Sequence, residues 1–295
     1  MAKVSIVIPL YNGARYIAET IRSVLEQSFK DFELLVVDDG STDDGPDIVR
    51  SFSLPVILLH QENTGTAAAR NFGFSRATGK YIAFLDQDDQ WDSEKLAFEV
   101  AALDAHPEIA VVYSDVDLID ETGRVLAPER SVTCGSFLRG FPDYPQPHPF
   151  PSTVLMRRET FERAGMFDPE FRKNCHEDTE LWFRILKKEL GQFHCCSKAL
   201  VRRRLHAAQG GRNQDSWDEN WILCLDKLIQ LFDDEPATVR RLSRVKARTY
   251  SHRGRELVRT GNRAQGLAEF KKSFFADPLY LPNLRRLAAF YLSLR

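Results

Sequence analysis

The chain has 295 residues, with 40 Lys or Arg against 42 Asp or Glu, a formal net charge of −2 and 43% hydrophobic residues. That balance excludes a disordered or collagen-like chain, and the length suffices to bury one large domain or two smaller ones. No apolar run of about 18 residues occurs, which excludes a membrane-spanning helix, and Met1–Pro9 has no signal-peptide layout, so none is expected.

The first hundred residues alternate strand and helix signals. Val4–Ile8 is a β-branched run that Pro9 is expected to end, followed by the turn Tyr11-Asn12-Gly13. Ile17, Ile21, Val24 and Leu25 recur at helical spacing. Phe32–Val37 is a buried-strand run ending in Asp38-Asp39-Gly40, and a turn from Ser41 to Pro46 leads into a short helix. Val56–Leu59 reads as a third strand, Thr64–Arg76 as a helix and Tyr81–Leu85 as a fourth strand. That strand runs into Asp86-Gln87-Asp88-Asp89, and a further helix carries Leu96, Val100 and Leu103 on one face. Apolar strands separated by helices imply a parallel sheet covered on both faces, with ligands beyond the carboxyl ends of the strands.

Tyr11, Asn12, Asp38, Asp39, Asp86, Asp88 and Asp89 all gather at those ends. Crowded carboxylates raise one another's pKa, and a hard divalent cation such as Mg²⁺ or Mn²⁺ relieves the repulsion through oxygen ligands. The cation would also neutralise a diphosphate, for which the chain has no G-x-x-x-x-G-K-[ST] or G-x-G-x-x-G loop. The plainer alternative is that Asp92 or Ser93 caps a helix and the acids are solvated.

Three stretches carry a resemblance: VSIVIPLYNGARYIAETIRSVLEQSFKDFELLVVDDGSTD, NTGTAAARNFGFSRATGKYIAFLDQDDQW and HEDTELWFRIL, together spanning roughly residues 3 to 190. In this ordered set the chain resembles a family 2 glycosyltransferase of the GT-A fold. The resemblance implies an α/β fold, a doubly wound mixed sheet with helices on both faces. It also implies a nucleotide-diphosphate sugar donor, a divalent metal (Mn²⁺ or Mg²⁺) and inversion at the anomeric carbon. By the same resemblance Pro9, Tyr11 and Asp39 would hold the base and ribose, Asp39 accepting from a ring N–H of uracil or a similar base, while Asp38 fixes the loop. Arg70 matches a basic residue beside the nucleotide. Asp88 matches the direct metal ligand and Asp86 the carboxylate that meets ribose or donor sugar. Structural alternatives are that Tyr11 packs and that Arg70 pairs with Glu62 or Asp86.

An inverting transfer needs a base for the acceptor hydroxyl, and the family places an Asp at Glu177-Asp178. Asp178 shares a helical face with Leu181, Trp182 and Ile185, whereas Glu177 falls with Glu180 and Arg184 on what reads as the solvated side. In Arg202–Gly211 the resemblance makes His206 a candidate to complete the metal shell, although Val201 stands where the family usually has Tyr. The Arg202–Arg204 run would bind phosphate or be solvated. The stretch Phe141–Pro151, with five prolines, reads as a stiff loop, either a border of the acceptor cleft or a connector.

The remainder is helical, with domains expected at 1–212 and 213–295. Trp217, Trp221, Leu225 and Leu228 form a core stripe. From about residue 239, Tyr250, Gly254, Leu257, Gly261, Phe270 and Pro278 follow the spacing of one tetratricopeptide-like hairpin, with Gly266 and Ser273 where Ala is usual. A single unit would lean on the catalytic domain or on a second subunit. Residues 236–295 hold 14 Lys or Arg and 3 Asp or Glu, a balance of +11 that leaves −13 on residues 1–235. That tail reads as a solvated helical face or as a peripheral contact with anionic lipid, ahead of nucleic acid. The five cysteines are odd in number and form no C-x-x-C pair, and Cys175, His176, His194 and Cys195 match no zinc spacing. A reducing cytoplasmic location follows, at the membrane face if the tail binds there. The expected acceptor is a saccharide or lipid-linked hydroxyl. The competing reading is a non-catalytic sugar-nucleotide binder or scaffold on the same fold.

Overall fold

The computed structural model describes residues 2–53, 55–129, 149–171, 175–207, 214–280 and 282. Of these, the residues up to 207 form one compact unit and those from 214 on a second. Residues 141–148 of the proline-rich stretch, and 208–211 of the stretch after His206, lie outside the described residues.

The first unit is a nine-stranded sheet in the order β3-β2-β1-β4-β8-β6-β9-β5, with β7 paired to β6. Its strands are β1 (Val4–Leu10), β2 (Phe32–Asp39), β3 (Val56–Gln61), β4 (Tyr81–Phe84), β5 (Gln90–Trp91), β6 (Ile109–Ile119), β7 (Val125–Glu129), β8 (Val154–Arg157) and β9 (Gln192–Arg204). β1 to β4 run parallel to one another, β8 runs against β4 and β6, and β6 is parallel to β9. The sheet is therefore mixed rather than wholly parallel. Two reversals at β8 restore the original direction, so β9 ends at the same edge of the sheet as β1, β2 and β4. The start of β8 lies at that edge too.

Alternation along the strands feeds two cores. Val4, Ile6, Ile8 and Leu10 of β1 pack with α1 (Ile17–Leu25), α2 (Gly45–Arg50) and α4 (Lys95–Ala105), through residues such as Ile21, Val49 and Leu96. Val7, Val37, Ile82 and Phe84 turn to the other face. There they meet α3 (Thr66–Arg76), α5 (Arg158–Ala164) and α6 (Glu177–Lys187), through Ala69, Phe161 and Trp182. Phe161 closes that side in edge and tilted contacts with Phe74, Phe84 and Phe167, at 4.8, 5.2 and 5.3 Å.

Pro9 does not end β1, which continues to Leu10. The Val7 carbonyl accepts from the Leu85 N–H, so odd-numbered residues of β1 turn their backbone groups toward β4. The β1–β4 pairing stops at Val7↔Phe84, so Pro9 faces that side past the last partner and its missing N–H breaks no ladder bond.

The second unit has three helices among its described residues: α7 (Gln214–Leu231), α8 (Pro236–Arg259) and α9 (Arg263–Ala276). Trp221, Leu225 and Leu228 of the α7 stripe are buried. α8 and α9 form a close hairpin. A Cβ on Gly254 would lie 2.7 Å from the Phe270 ring, and one on Gly266 would lie 2.8 Å from the Gly254 carbonyl oxygen. Ser273, where the repeat pattern has Ala, donates from Oγ to the Ala247 carbonyl at 2.6 Å in a buried position. No helix among the described residues is long and apolar enough to cross a membrane.

Candidate functional site

The ends of β1, β2, β4 and β9, with the start of α6, supply the site. After β4 the chain turns through Asp86–Asp89, and after β9 it delivers His206. The shared edge of the sheet brings these together, with His206 Nε2 2.7 Å from Asp88 Oδ2. Both side chains are mostly buried. Burial, then the neighbouring Asp86, push the Asp88 carboxyl above its ordinary range, with His206 opposing. A carboxylate and an imidazole in contact are an oxygen and a nitrogen donor of the kind Mn²⁺ and similar ions accept. The pair fits two ligand positions of a divalent ion. Among the described residues no group of three or more His, Cys, Asp or Glu side chains is arranged to hold an ion. The other acids expected around one cation each meet a partner within the protein: Arg70 at Asp86, Ser152 at Asp89, His60 at Asp38 and Gln61 at Asp39.

Arg70 is the chief of these. It rises from α3 and is 2% exposed. Its Nη2 donates to Asp86 Oδ1 and its Nη1 to Glu177 Oε1, each at 2.6 Å. The guanidinium joins the acidic turn after β4 to the start of α6 and lies 5.2 Å from the centre of the Phe167 ring. Of the two sequence alternatives for Arg70, the pairing with Asp86 is the one present.

Glu177 corrects the helical-face reading. It is 4% exposed rather than solvated, because Arg70 reaches it from another layer of the fold. Its Oε2 and Arg70 Nε are buried with no hydrogen-bond partner among the described residues. Burial, then Asp178, raise the Glu177 pKa against the pull of Arg70. Glu180 is likewise buried, bound by Arg184 Nε at 2.7 and 2.9 Å. Arg184 also donates to the carbonyls of Ala164 and Met166, which fold over that side of the helix. Asp178 lies in the first turn of α6 as expected, accepting from the Thr179 N–H at 2.6 Å. His176 precedes it in a left-handed conformation (φ 70°) that turns the chain into the helix.

The residues expected at the base and ribose divide. Tyr11 is 47% exposed at the end of β1, with its backbone held by Gln87, whose Oε1 accepts from the Tyr11 N–H at 2.8 Å. Pro9 is buried within β1. Asp39 is 3% exposed and fastens the loop before α3. Its Oδ1 accepts from Gln61 Nε2 and the Thr64 N–H, and its Oδ2 from the Gly65 N–H. Asp38 fixes the neighbouring loop through the Ser41 N–H and His60. Both acids therefore have tasks inside the protein, where the sequence reading assigned that task to Asp38 alone.

Four further residues shape the edge: Gln87 and Ser152, which the sequence reading left without a role, and Asp89 and Arg204, whose tasks differ from those expected. Gln87, the middle residue of Asp-x-Asp, pins Tyr11. Ser152 donates to Asp89 Oδ2 at 2.7 Å and accepts from the Asp86 N–H at 3.1 Å, locking the acidic turn to the start of β8. Asp89 is 2% exposed and serves this lock; burial, then Asp88 and Asp86, raise its pKa well above the ordinary value. Arg204, fully buried, corrects the phosphate-or-solvent reading. Its guanidinium donates to Glu19 Oε2 and to the carbonyls of Asp88, Asp120 and Glu121. It also stacks 4.5 Å above the Tyr16 ring, which lies 5.1 Å from the His206 ring. The residue types carry the signal for this edge, but nothing in their spacing distinguishes the clamp residues from surface ones. Cys175, Cys195, Cys196 and Cys224 form no disulfide with one another.

The family model for glycosyl transferase family 2 matches residues 5–165, more than half of the chain and including β1, the acidic turn and β8. The chain belongs to glycosyl transferase family 2. An uncharacterised glycosyltransferase of Rickettsia prowazekii is 32% identical over 237 residues, covering 77% of this chain and 73% of that protein. Relatives in three other Rickettsia species are 29% identical, and the chain spans only 34–39% of their length. Among solved structures, Staphylococcus aureus TarS 1-349 in complex with UDP-GlcNAc has a TM-score of 0.70 at 19% identity, over 99% of this chain and 92% of that one. The mannosyltransferase PcManGT of Pyrobaculum calidifontis, in complex with GDP-Man and Mn²⁺, has a TM-score of 0.62 at 19% identity, over 100% and 81%. These likenesses establish the GT-A fold, and this family 2 glycosyltransferase is an enzyme.

Proposed function

We propose that this glycosyltransferase is metal-dependent and inverting. It would move a sugar from a nucleoside-diphosphate donor, a UDP-sugar first, to a hydroxyl of a saccharide or lipid-linked acceptor in surface polysaccharide or glycoconjugate synthesis. The observation that carries this reading is the meeting, at one edge of the sheet, of the Asp88–His206 pair with the Arg70-linked turn and α6 start that present Asp86 and Asp178. TarS is solved with UDP-GlcNAc and PcManGT with GDP-Man and Mn²⁺, which supports a nucleotide sugar and a divalent ion for this fold.

Asp88 and His206 would hold Mn²⁺ or Mg²⁺, which when bound offsets the charge of the departing diphosphate. Asp86, joined to Arg70 and about one-third exposed, faces the donor sugar or ribose. Tyr11 offers an exposed ring beside the base, and Asp39 keeps the loop of Thr64 and Gly65 in place beneath it. Arg70 and Glu177 set the height of the α6 start relative to the acidic turn. Asp178 takes the acceptor hydroxyl proton while that oxygen attacks the anomeric carbon on the side opposite the leaving group. A positioned base contributes about 10²–10⁴-fold, so Asp178→Asn should lower kcat by that order while nucleotide-sugar binding by calorimetry stays native. Transfer at the native rate in this variant would remove Asp178 from the role of base.

A further inference from the structure

α8 carries eight Lys or Arg and one acidic residue, Glu256. Arg240, Arg241, Arg244, Arg248, Arg255 and Arg259 are all exposed, with His252 among them. At 100° and 1.5 Å per residue these six arginines fall within an arc of about 120° and extend over about 28 Å. The buried positions of the helix go to Leu242, Val245, Ala247, Ser251 and Gly254. On the same wheel Leu242 lies opposite the arginines, Val245, Ala247 and Gly254 flank them on either side, and the small Ser251 is buried among them, so the longer arginine side chains stand exposed over a partly packed face. Arg244 pairs with Asp277 at 3.2 Å and Arg259 with Glu256 at 2.8 Å, and Arg240, Arg248 and Arg255 stand exposed along the same stripe.

A second, separate feature adjoins it. Phe275 (79%) and Leu279 (77%) are the most exposed large apolar side chains among the described residues. They flank Asp277, whose Oδ2 accepts from Arg244 and whose Oδ1 accepts from the Leu279 N–H. The apolar pair is therefore tied to the stripe at Arg244, near its N-terminal end.

We propose that the arginine face of α8, with Phe275 and Leu279, is a docking surface for an anionic lipid bilayer. A bilayer offers a plane of phosphates, which planar guanidinium groups bind in a fork, and hydrocarbon beneath it. A nucleic-acid duplex offers the phosphates but leaves Leu279 nothing to bury against. Residues 1–235 carry −13 and residues 236–295 carry +11, so attraction to an anionic surface resides in this region. The surface lies outside the residues assigned to sugar transfer, so the proposal stands or falls separately from that function.

The test is co-sedimentation of the full chain with vesicles of phosphatidylcholine alone and of phosphatidylcholine with phosphatidylglycerol. Binding should require the anionic lipid and weaken as NaCl is raised. Each arginine near such a surface contributes about fivefold (about 1 kcal/mol), so Arg240→Gln with Arg248→Gln and Arg255→Gln should lower partitioning by about a hundredfold. Phe275→Ser with Leu279→Ser should lower it by at least about tenfold, most visibly at high salt, where charge is screened. Native circular dichroism and thermal midpoint serve as the folding control for both variants. Equal binding to neutral vesicles, or native partitioning by the triple variant, overturns the proposal. So does native partitioning by the serine pair combined with equally tight binding to duplex DNA, which would make the surface a nucleic-acid site.

Discussion

Arg70 lies between Asp86 and Glu177, and Glu177 could not stay buried as an anion without it. Removing one member of a buried pair leaves an uncompensated charge, so Arg70→Ala should cost about 3 kcal/mol of stability. Arg70→Lys should recover only part of that, because one ammonium lacks the fork that reaches both carboxylates. Urea denaturation of the two variants measures this, and an unchanged midpoint for Arg70→Ala would show that the pair bears no load. At this scale the sequence reveals the types of the groups proposed for the chemistry but not all their partners. Asp88 stands out at a strand end and Asp178 at a helix start, and His206 through the resemblance alone. Glu177 is misread by a helical wheel, which describes one helix and not the layer that Arg70 crosses to reach it. Arg204 looks like one of three equivalent arginines, yet its position at the end of β9 buries it while Arg202, two residues back, is exposed.

Among the elements, the alternation of the first hundred residues translates directly into β1 to β4 and the helices between them, because fully buried parallel strands are continuous apolar runs. The reversal at β8 is not legible in the same way. That strand has four residues, follows a 3₁₀ turn at Pro151–Thr153, and is placed by partners distant in sequence, β4 and β6. The packing of α3 on the sheet shows how local preference and tertiary contact oppose each other. Alanine is preferred to glycine by about 1 kcal/mol inside a helix. A Cβ on Gly73, however, would lie 2.5 Å from Val7 Cγ1 and 2.9 Å from Val37 Cγ2. Both neighbours are β-branched and stiff, and overpacking a core costs about 1–3 kcal/mol. Gly73→Ala should therefore destabilise by up to about 2 kcal/mol despite its better helix propensity, as read by thermal unfolding. A rise in the melting midpoint would mean that α3 shifts freely on the sheet.

For the whole molecule, one buried group links folding to pH. Glu99 and Lys95 form an ion pair on α4 with no exposure of either side chain, and the Lys95 Nζ sits 4.5 Å from the centre of the Trp91 ring. Burial pushes the Glu99 carboxyl from 4.5 up to about 7, with Lys95 opposing. The folded chain then holds this proton more tightly than the unfolded chain. Its contribution is complete below about pH 4.5 and is lost as pH rises through about 7, amounting to about 3 kcal/mol by linkage. Glu99→Gln should flatten the fall in stability between these limits when urea midpoints are measured from pH 5 to 8; an identical slope in both proteins would place the titration elsewhere. The division of charge between the two ends of the chain is legible from counting alone, while the arrangement of arginines on one face of α8 requires the helix to be known.

Release of nucleoside diphosphate from a panel of nucleotide sugars, with and without Mn²⁺, by the native protein and by Asp88→Ala, addresses the donor site itself. The account predicts that Mn²⁺ accelerates release by the native protein for at least one donor, and that Asp88→Ala loses this acceleration. Equal release with and without the ion, or full acceleration in Asp88→Ala, would contradict it.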